Sequence, residues 1–260
     1  MPRISRGLSD GYIYHVLNRG NGGQKVFRKH KDYEALVDLI GEAKGRYSVK
    51  LLGYCLMPNH FHMVVEPVRA EELSKYMQWL MTSHVRRYHR HYGTSGHIWQ
   101  GRYKSFIIQR DDHLLTVLRY VESNPVRAGL VGSAREWAWS SHREVIGERP
   151  RLLIDTVPIE LPQAWNRWVD EPLAVREREG LRLSVNRQAP YGDSTWQKKL
   201  SRALGLESTL RSRGRPGWAW VVITQRKVGL ILSTCSAPIV KAAPSHWSST
   251  KPVSSAAVLI

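Results

Sequence analysis

Leu56-Met57-Pro58-Asn59-His60-Phe61-His62-Met63-Val64-Val65 is an apolar run interrupted by a turn signal and by two alternating imidazoles. A strand alternates its faces, so His60 and His62 project to one side while Phe61 projects to the other. Leu51 to Met57 reads as a strand before the Pro58-Asn59 turn and His60 to Glu66 as a strand after it, which predicts a hairpin. A proline in the turn argues against the two-residue primed types and leaves the turn type open. Two imidazoles side by side on one sheet face can bind one divalent metal. The competing reading is a pair of core histidines whose ring nitrogens are satisfied by neighbours. A central strand makes that reading costly unless both rings find partners.

Outward from the hairpin, Tyr12 to Asn18 reads as a first strand, stopped by the loop at Gly20 to Gly23. Asp32 to Tyr47 has Leu36, Leu39, Ile40 and Ala43 on one stripe and reads as a helix. Ala70 to Tyr92 is a second, longer helix with Leu73, Met77, Leu80 and Met81 as its apolar face. Gly96 to Gln109 holds one or two strands, Ile98-Trp99 and Tyr103 to Gln109. Asp111-Asp112 caps a third helix running to about Asn124, and Pro125 stops it. The order strand, helix, hairpin, helix, strand, helix predicts an α+β fold: an antiparallel sheet with helices packed on one face. Past Val145 the pattern weakens. Trp165 to Trp168 and Trp196 to Leu204 suggest short helices on a small, basic C-terminal appendage. The expected division is 1–145, 146–216 and an atypical, poorly ordered tail, 217–260, which has no Asp or Glu.

The 260 residues carry a formal charge of +17. Such an excess favours polyanions, because pairing phosphates with Lys and Arg releases condensed counterions. The cations are spread through the chain, at Arg86, Arg87 and Arg90, at Arg102 and Lys104, and at Arg211, Arg213 and Arg215. Arg86, Arg87 and Arg90 surround Tyr88, and Arg102 and Lys104 flank Tyr103. Such mixtures can track a nucleic-acid backbone while stacking a base. The competing reading for any one of them is a solvated charged face, and basic residues late in a helix also suit its dipole. The two cysteines lack metal-ligand spacing and make no disulfide framework. Met1 to Asp10 is polar and basic, unlike a secretory signal, and no apolar run approaches membrane-spanning length.

Tyr120 and Asn124 stand four apart on the third helix and so share one face. A tyrosine hydroxyl there can attack a phosphodiester, and an amide oxygen one turn later can complete a metal site. A phenol has a pKa near ~10, so it needs a polarised electrophile or a proton acceptor. A Mg²⁺ or Mn²⁺ ion on His60 and His62 would supply the polarisation. Tyr120 could instead be a packing residue with its hydroxyl at the surface. Asn124 could equally be a helix-end residue before Pro125.

Gly53-Tyr54-Cys55-Leu56-Met57-Pro58-Asn59-His60-Phe61-His62 and Tyr120-Val121-Glu122-Ser123-Asn124-Pro125-Val126-Arg127-Ala128-Gly129-Leu130 together resemble the REP-associated tyrosine transposases. These are single-tyrosine, His-hydrophobic-His enzymes related to rolling-circle replication initiators. Tyr14-His15-Val16, Arg19-Gly20-Asn21, Trp99 to Ser105 and Trp137 to Ser141 support the match. It covers residues 1 to 145 well and extends loosely to Gly214-Arg215-Pro216. Residues 217–260 lie beyond the family pattern, which suggests a reading-frame change or a fusion there.

The resemblance implies a ferredoxin-like sheet, a divalent metal on His60 and His62, and Tyr120 as a nucleophile forming a 5′-phosphotyrosine with single-stranded DNA. It places Asn124 where a polar third ligand is expected. Its implied targets are repetitive extragenic palindromes that fold as hairpins, met in the bacterial cytosol in association with the nucleoid. A monomer and a homodimer are both compatible with the sequence. A hairpin-binding regulator without turnover is the alternative on the same fold. A barrel metallohydrolase, which also opens on His-x-His, is disfavoured by the absence of a repeated strand-helix pattern.

Overall fold

The computed structural model describes residues 7–211. Four strands, β1 (Ile13–Arg19), β2 (Val49–Met57), β3 (His60–Pro67) and β4 (Lys104–Ile108), form one sheet in the order β2-β3-β1-β4. Every neighbouring pair is antiparallel. Helix α1 (His30–Arg46) connects β1 to β2, and α2 (Ala70–Tyr92) connects β3 to β4. Each crossover straddles a strand from the other unit, which is the ferredoxin-like arrangement. The expected hairpin is present: Met57 pairs with His60 and Cys55 with His62 across a two-residue Pro58-Asn59 turn. The turn carbonyls are held from outside the sheet. Pro58 O accepts from Val26 N and Phe27 N, and Asn59 O from Gly20 N at 2.7 Å.

Alternation assigns the two sheet faces. Tyr14 and Val16 of β1, Phe61, Met63 and Val65 of β3, and Ile107 of β4 join Leu36, Leu39 and Ile40 of α1 and Leu73, Tyr76, Met77 and Leu80 of α2 in one buried cluster. Burying each such aliphatic side chain contributes about 1.5–3 kcal/mol. His15, His60, His62 and Val64 point the other way. That second face is covered by α3 (Asp112–Glu122), which packs on β2, β3 and β4. The expectation of helices on one face therefore holds for the two crossover helices and is corrected for α3. A sheet buried in apolar and imidazole side chains on both faces needs cover on both. Gly53 lets β2 and α3 approach closely, since a Cβ there would lie 2.9 Å from Leu118 Cδ2.

Asp111 caps α3, its side chain accepting from His113 N. Pro125 does not stop this helix. α3 ends at Glu122, and a short helix α4 (Asn124–Arg127) restarts with Pro125 in its first turn, where the missing N–H has no helical partner to lose. Ile98-Trp99 forms a single bridge to Gly20 rather than a strand, because the chain turns at Gly101, φ +74°.

Beyond the sheet, α5 (His142–Val145), α6 (Trp165–Asp170), α7 (Val175–Arg187), α8 (Ser194–Ala203) and α9 (Glu207–Leu210) follow. The helices expected at 165 and 196 are α6 and α8; α7 was not foreseen, because only Leu181 and Val185 give it a buried apolar stripe. Residues 146–211 dock on the sheet unit. Arg119 Nε donates to Trp168 O at 2.7 Å, and Tyr191 bridges Ile108 beside β4. The tail 217–260 lies outside the described residues.

Candidate active site

The fold brings His60, His62 and Tyr120 together. β3 delivers both imidazoles to the α3 face, and the Tyr120 ring centre lies 5.8 Å from that of His62, nearly perpendicular to it. The His60 and His62 centroids are 5.0 Å apart. Tyr120 is 2% exposed, so its ring is packed between α3 and the sheet. Asn124, at the start of α4, is buried, and its side chain reaches His60.

Burial keeps these imidazoles neutral. Desolvation lowers His60 to about 4; the Asn124 side chain opposes the shift, and the charges of Arg19 and Arg127 add to it. His62 is held well below its ordinary value by burial, then by His15, His60 and Arg127. A neutral ring keeps one lone pair for a ligand or a donor. His60 Nδ1 is engaged by Asn59 Oδ1 at 2.7 Å and His62 Nδ1 by His15 Nε2 at 2.8 Å. Neither Nε2 has a partner at hydrogen-bonding geometry, although the Asn124 side chain stands near the His60 ring. Buried polar atoms are rarely left in this state, so the pair fits a ligand contributed from outside the chain.

Two imidazole nitrogens and the Asn124 amide are donors that suit a borderline to hard divalent cation. Among the described residues, no group of three or more His, Cys, Asp or Glu is arranged to hold a metal.

Several residues around the site went unassigned in the sequence. His15 from β1 bonds His62 and packs edge-on against Phe106 at 4.8 Å. Arg19 pairs with His60 in the β1–β3 register. Arg127 places its guanidinium 4.0 Å from the Tyr120 ring centre and donates to Tyr120 O at 3.4 Å. Glu122, completely buried, accepts from Ser141 Oγ at 2.9 Å and Trp165 Nε1 at 2.8 Å and bonds His142 Nδ1 at 2.7 Å. It ties the helix of Tyr120 to the segments behind it. The available signal was parity: His15 and Arg19 are polar at alternate positions of a strand whose Tyr14 and Val16 are apolar.

The basic residues divide between the two sides of the sheet. Arg86, Arg87 and Arg90 are exposed on α2 and, with Lys31 and His91, line a cleft of about 780 Å³. Arg86 and Arg102 rim a second cleft of about 610 Å³ walled by Met77, Met81, Val85 and Trp99. α2 lies across the sheet from α3, so these arginines are not brought to the histidine face. Lys104 is: it pairs with Leu17, which pairs with His62. Tyr88 and Tyr103 are corrected as stacking platforms, being 6% and 7% exposed within the core.

Residues 9–124 match the family model described as Transposase IS200 like. Over this segment the chain is similar to the IS200-like transposases. The match spans every strand of the sheet, both histidines, Tyr120 and Asn124. A protein of Haemophilus influenzae named as a REP-associated tyrosine transposase is 28% identical over 132 residues, covering 44% of this chain and 74% of the relative. The resemblance read from the two motif segments is thus borne out. Among solved structures, a REP-associated tyrosine transposase bound to a REP hairpin aligns with TM-score 0.49 at 18% identity, over 67% of this chain and 99% of that one. A Deinococcus radiodurans protein named as a transposase aligns with TM-score 0.34 at 15% identity, over 46% and 96%. No helix among the described residues is long and apolar enough to cross a membrane.

Proposed function

We propose that this chain acts as an IS200-like transposase that nicks and rejoins single-stranded DNA through a 5′-phosphotyrosine on Tyr120, with a divalent metal, Mg²⁺ or Mn²⁺, on His60, His62 and Asn124. One observation carries the reading: a tyrosine ring lies 5.8 Å from a histidine whose Nε2, like that of its strand neighbour, is buried and unpartnered. Tyr120 Oη forms a bond to phosphorus as the bond to the 3′ oxygen breaks. The phenolic proton goes to solvent, and the departing 3′ oxygen is protonated to a free hydroxyl. Rejoining reverses the exchange, because the phosphotyrosine ester conserves the bond. A cation held by His60, His62 and Asn124 would supply charge stabilisation at the scissile phosphate. Arg19, Arg127 and Lys104 add positive potential on the same face.

The target we infer is hairpin-forming repetitive palindromic DNA in the bacterial cytosol. The H. influenzae relative is named for such elements, and the +17 charge and the arginine-lined clefts suit a folded polyanion. The alternative, a hairpin-binding regulator without turnover, draws on the near-complete burial of Tyr120.

One experiment separates them. Labelled single-stranded DNA carrying a palindrome is incubated with Mn²⁺ and run on a denaturing gel, and the adduct peptide is sequenced by mass spectrometry. A DNA adduct on Tyr120 that is lost in Tyr120→Phe supports nicking. Retarded DNA on a native gel with no adduct under any metal supports the regulator.

A further inference from the structure

We propose that His15 is a positioning residue for the metal site: its Nε2 accepts a hydrogen bond from His62 Nδ1 and so fixes the His62 tautomer whose unprotonated Nε2 faces the cation. The inference rests on the reading of His60 and His62 as ligands.

The two rings are nearly parallel, 15° apart, with centroids at 4.9 Å, and the Nε2···Nδ1 distance is 2.8 Å. A hydrogen bond between two neutral imidazoles has two arrangements, since each ring carries one N–H and one lone pair. If His15 donates, His62 must carry its proton on Nε2, and that nitrogen cannot ligate. If His62 donates, its Nε2 lone pair is free. Only the second arrangement makes His62 a ligand, so occupancy of the site and the direction of this bond are one event. A metal-bound histidine commonly has its other nitrogen fixed by a hydrogen-bond acceptor that is a carboxylate, carbonyl or water. His62 has an imidazole there. It is fully buried, delivered from the neighbouring strand and walled by Phe106.

The position is also expensive for packing alone. His15 Nδ1 is buried without a partner, and an apolar ring would fill the same space without that cost. A polar ring kept at such a place is explained by what its other nitrogen does.

The test uses the full chain without DNA. Ring ¹⁵N spectra report which nitrogen of His62 is protonated, and titration with Mn²⁺ followed by electron paramagnetic resonance reports affinity. The wild type is expected to show His62 protonated at Nδ1 in the presence of Mg²⁺. His15→Phe, which removes the acceptor, should bind Mn²⁺ about 10–100-fold more weakly. His15→Gln, which offers an amide oxygen, should recover most of that loss. Unchanged Mn²⁺ affinity in both folded variants, with His60→Ala abolishing binding, overturns the role of His15 alone. A wild-type His62 protonated at Nε2 in Mg²⁺ overturns it as well, whether or not the variants fold. No Mn²⁺ binding by the wild type overturns the ligand reading and this inference with it.

Discussion

The Arg127 guanidinium stacks on the Tyr120 ring at 4.0 Å from its centre while also donating to the Tyr120 carbonyl. The two residues belong to successive helices, α3 and α4, separated by the break at Ser123. A cation over an aromatic face contributes about 0.5–2 kcal/mol and fixes the ring plane. Arg127→Ala is expected to leave the fold intact, with a stability loss of about 1–2 kcal/mol. Adduct formation should fall at least about 10-fold, because a mobile ring spends less time aligned for attack. Lys at this position should restore less than half of the loss, since an ammonium lacks the planar stack. Single-turnover adduct kinetics on the three proteins check this.

Glu122 lies two residues after Tyr120 on α3, with three hydrogen-bond partners and no exposure. Glu122→Ala leaves His142 Nδ1 and Trp165 Nε1 unpaired in the core, while Ser141 Oγ keeps its bonds with Tyr54, and the cost is expected to be about 3–5 kcal/mol. Urea unfolding measures it. Loss of soluble protein would agree, and a cost below about 1 kcal/mol would contradict the account of this network.

Gly53 lies where β2 and α3 pack closely together. Its alanine variant should lose about 1–3 kcal/mol, as the Leu118 side chain and the helix are pushed outward. The same displacement should weaken adduct formation while hairpin binding is kept. An equal loss of both would point to general unfolding.

Acid should destabilise the protein through its buried imidazoles. Burial holds His15 at about 3 and His60 and His84 at about 4, against 6.5 for the free side chain. The unfolded chain therefore takes up protons below pH 6.5 that the folded chain refuses. The stability these groups contribute is complete above that pH and is lost as pH falls toward 4. Each adds about 1.4 kcal/mol per pH unit to the slope within its window. His84→Leu lies away from the candidate site and should flatten the slope between pH 6.5 and 4.5 by about one proton. Urea midpoints across that range test it.

Arg86, Arg87 and Arg90 are exposed along one cleft. Replacing all three with Ala should weaken hairpin binding and lower the salt-dependence slope by up to about 3, roughly one per lost phosphate contact. At saturating DNA the yield of Tyr120 adduct should be unchanged. Binding isotherms from 50 to 300 mM salt decide the point.

The hairpin, its two histidines and the element order were legible in the sequence because period and turn chemistry are local. Alternation across His60-Phe61-His62 placed both imidazoles on one face, and the four-residue step from Tyr120 to Asn124 placed those two on one side of the helical path. Nothing local says which sheet face a later helix will cover, so the position of α3 opposite α1 and α2 came only with the fold. The same holds for His15, Arg19, Arg127 and the partners of Glu122. Their contacts join residues far apart in the chain, 47 positions from His15 to His62 and 91 from His15 to Phe106. Such contacts are set by strand register and by helix packing, which no short window of residues contains. The sequence by itself determined that two imidazoles would stand together on a strand. Tertiary structure decided that a tyrosine ring would pack edge-on against His62 and that a third imidazole, His15, would hydrogen-bond to it.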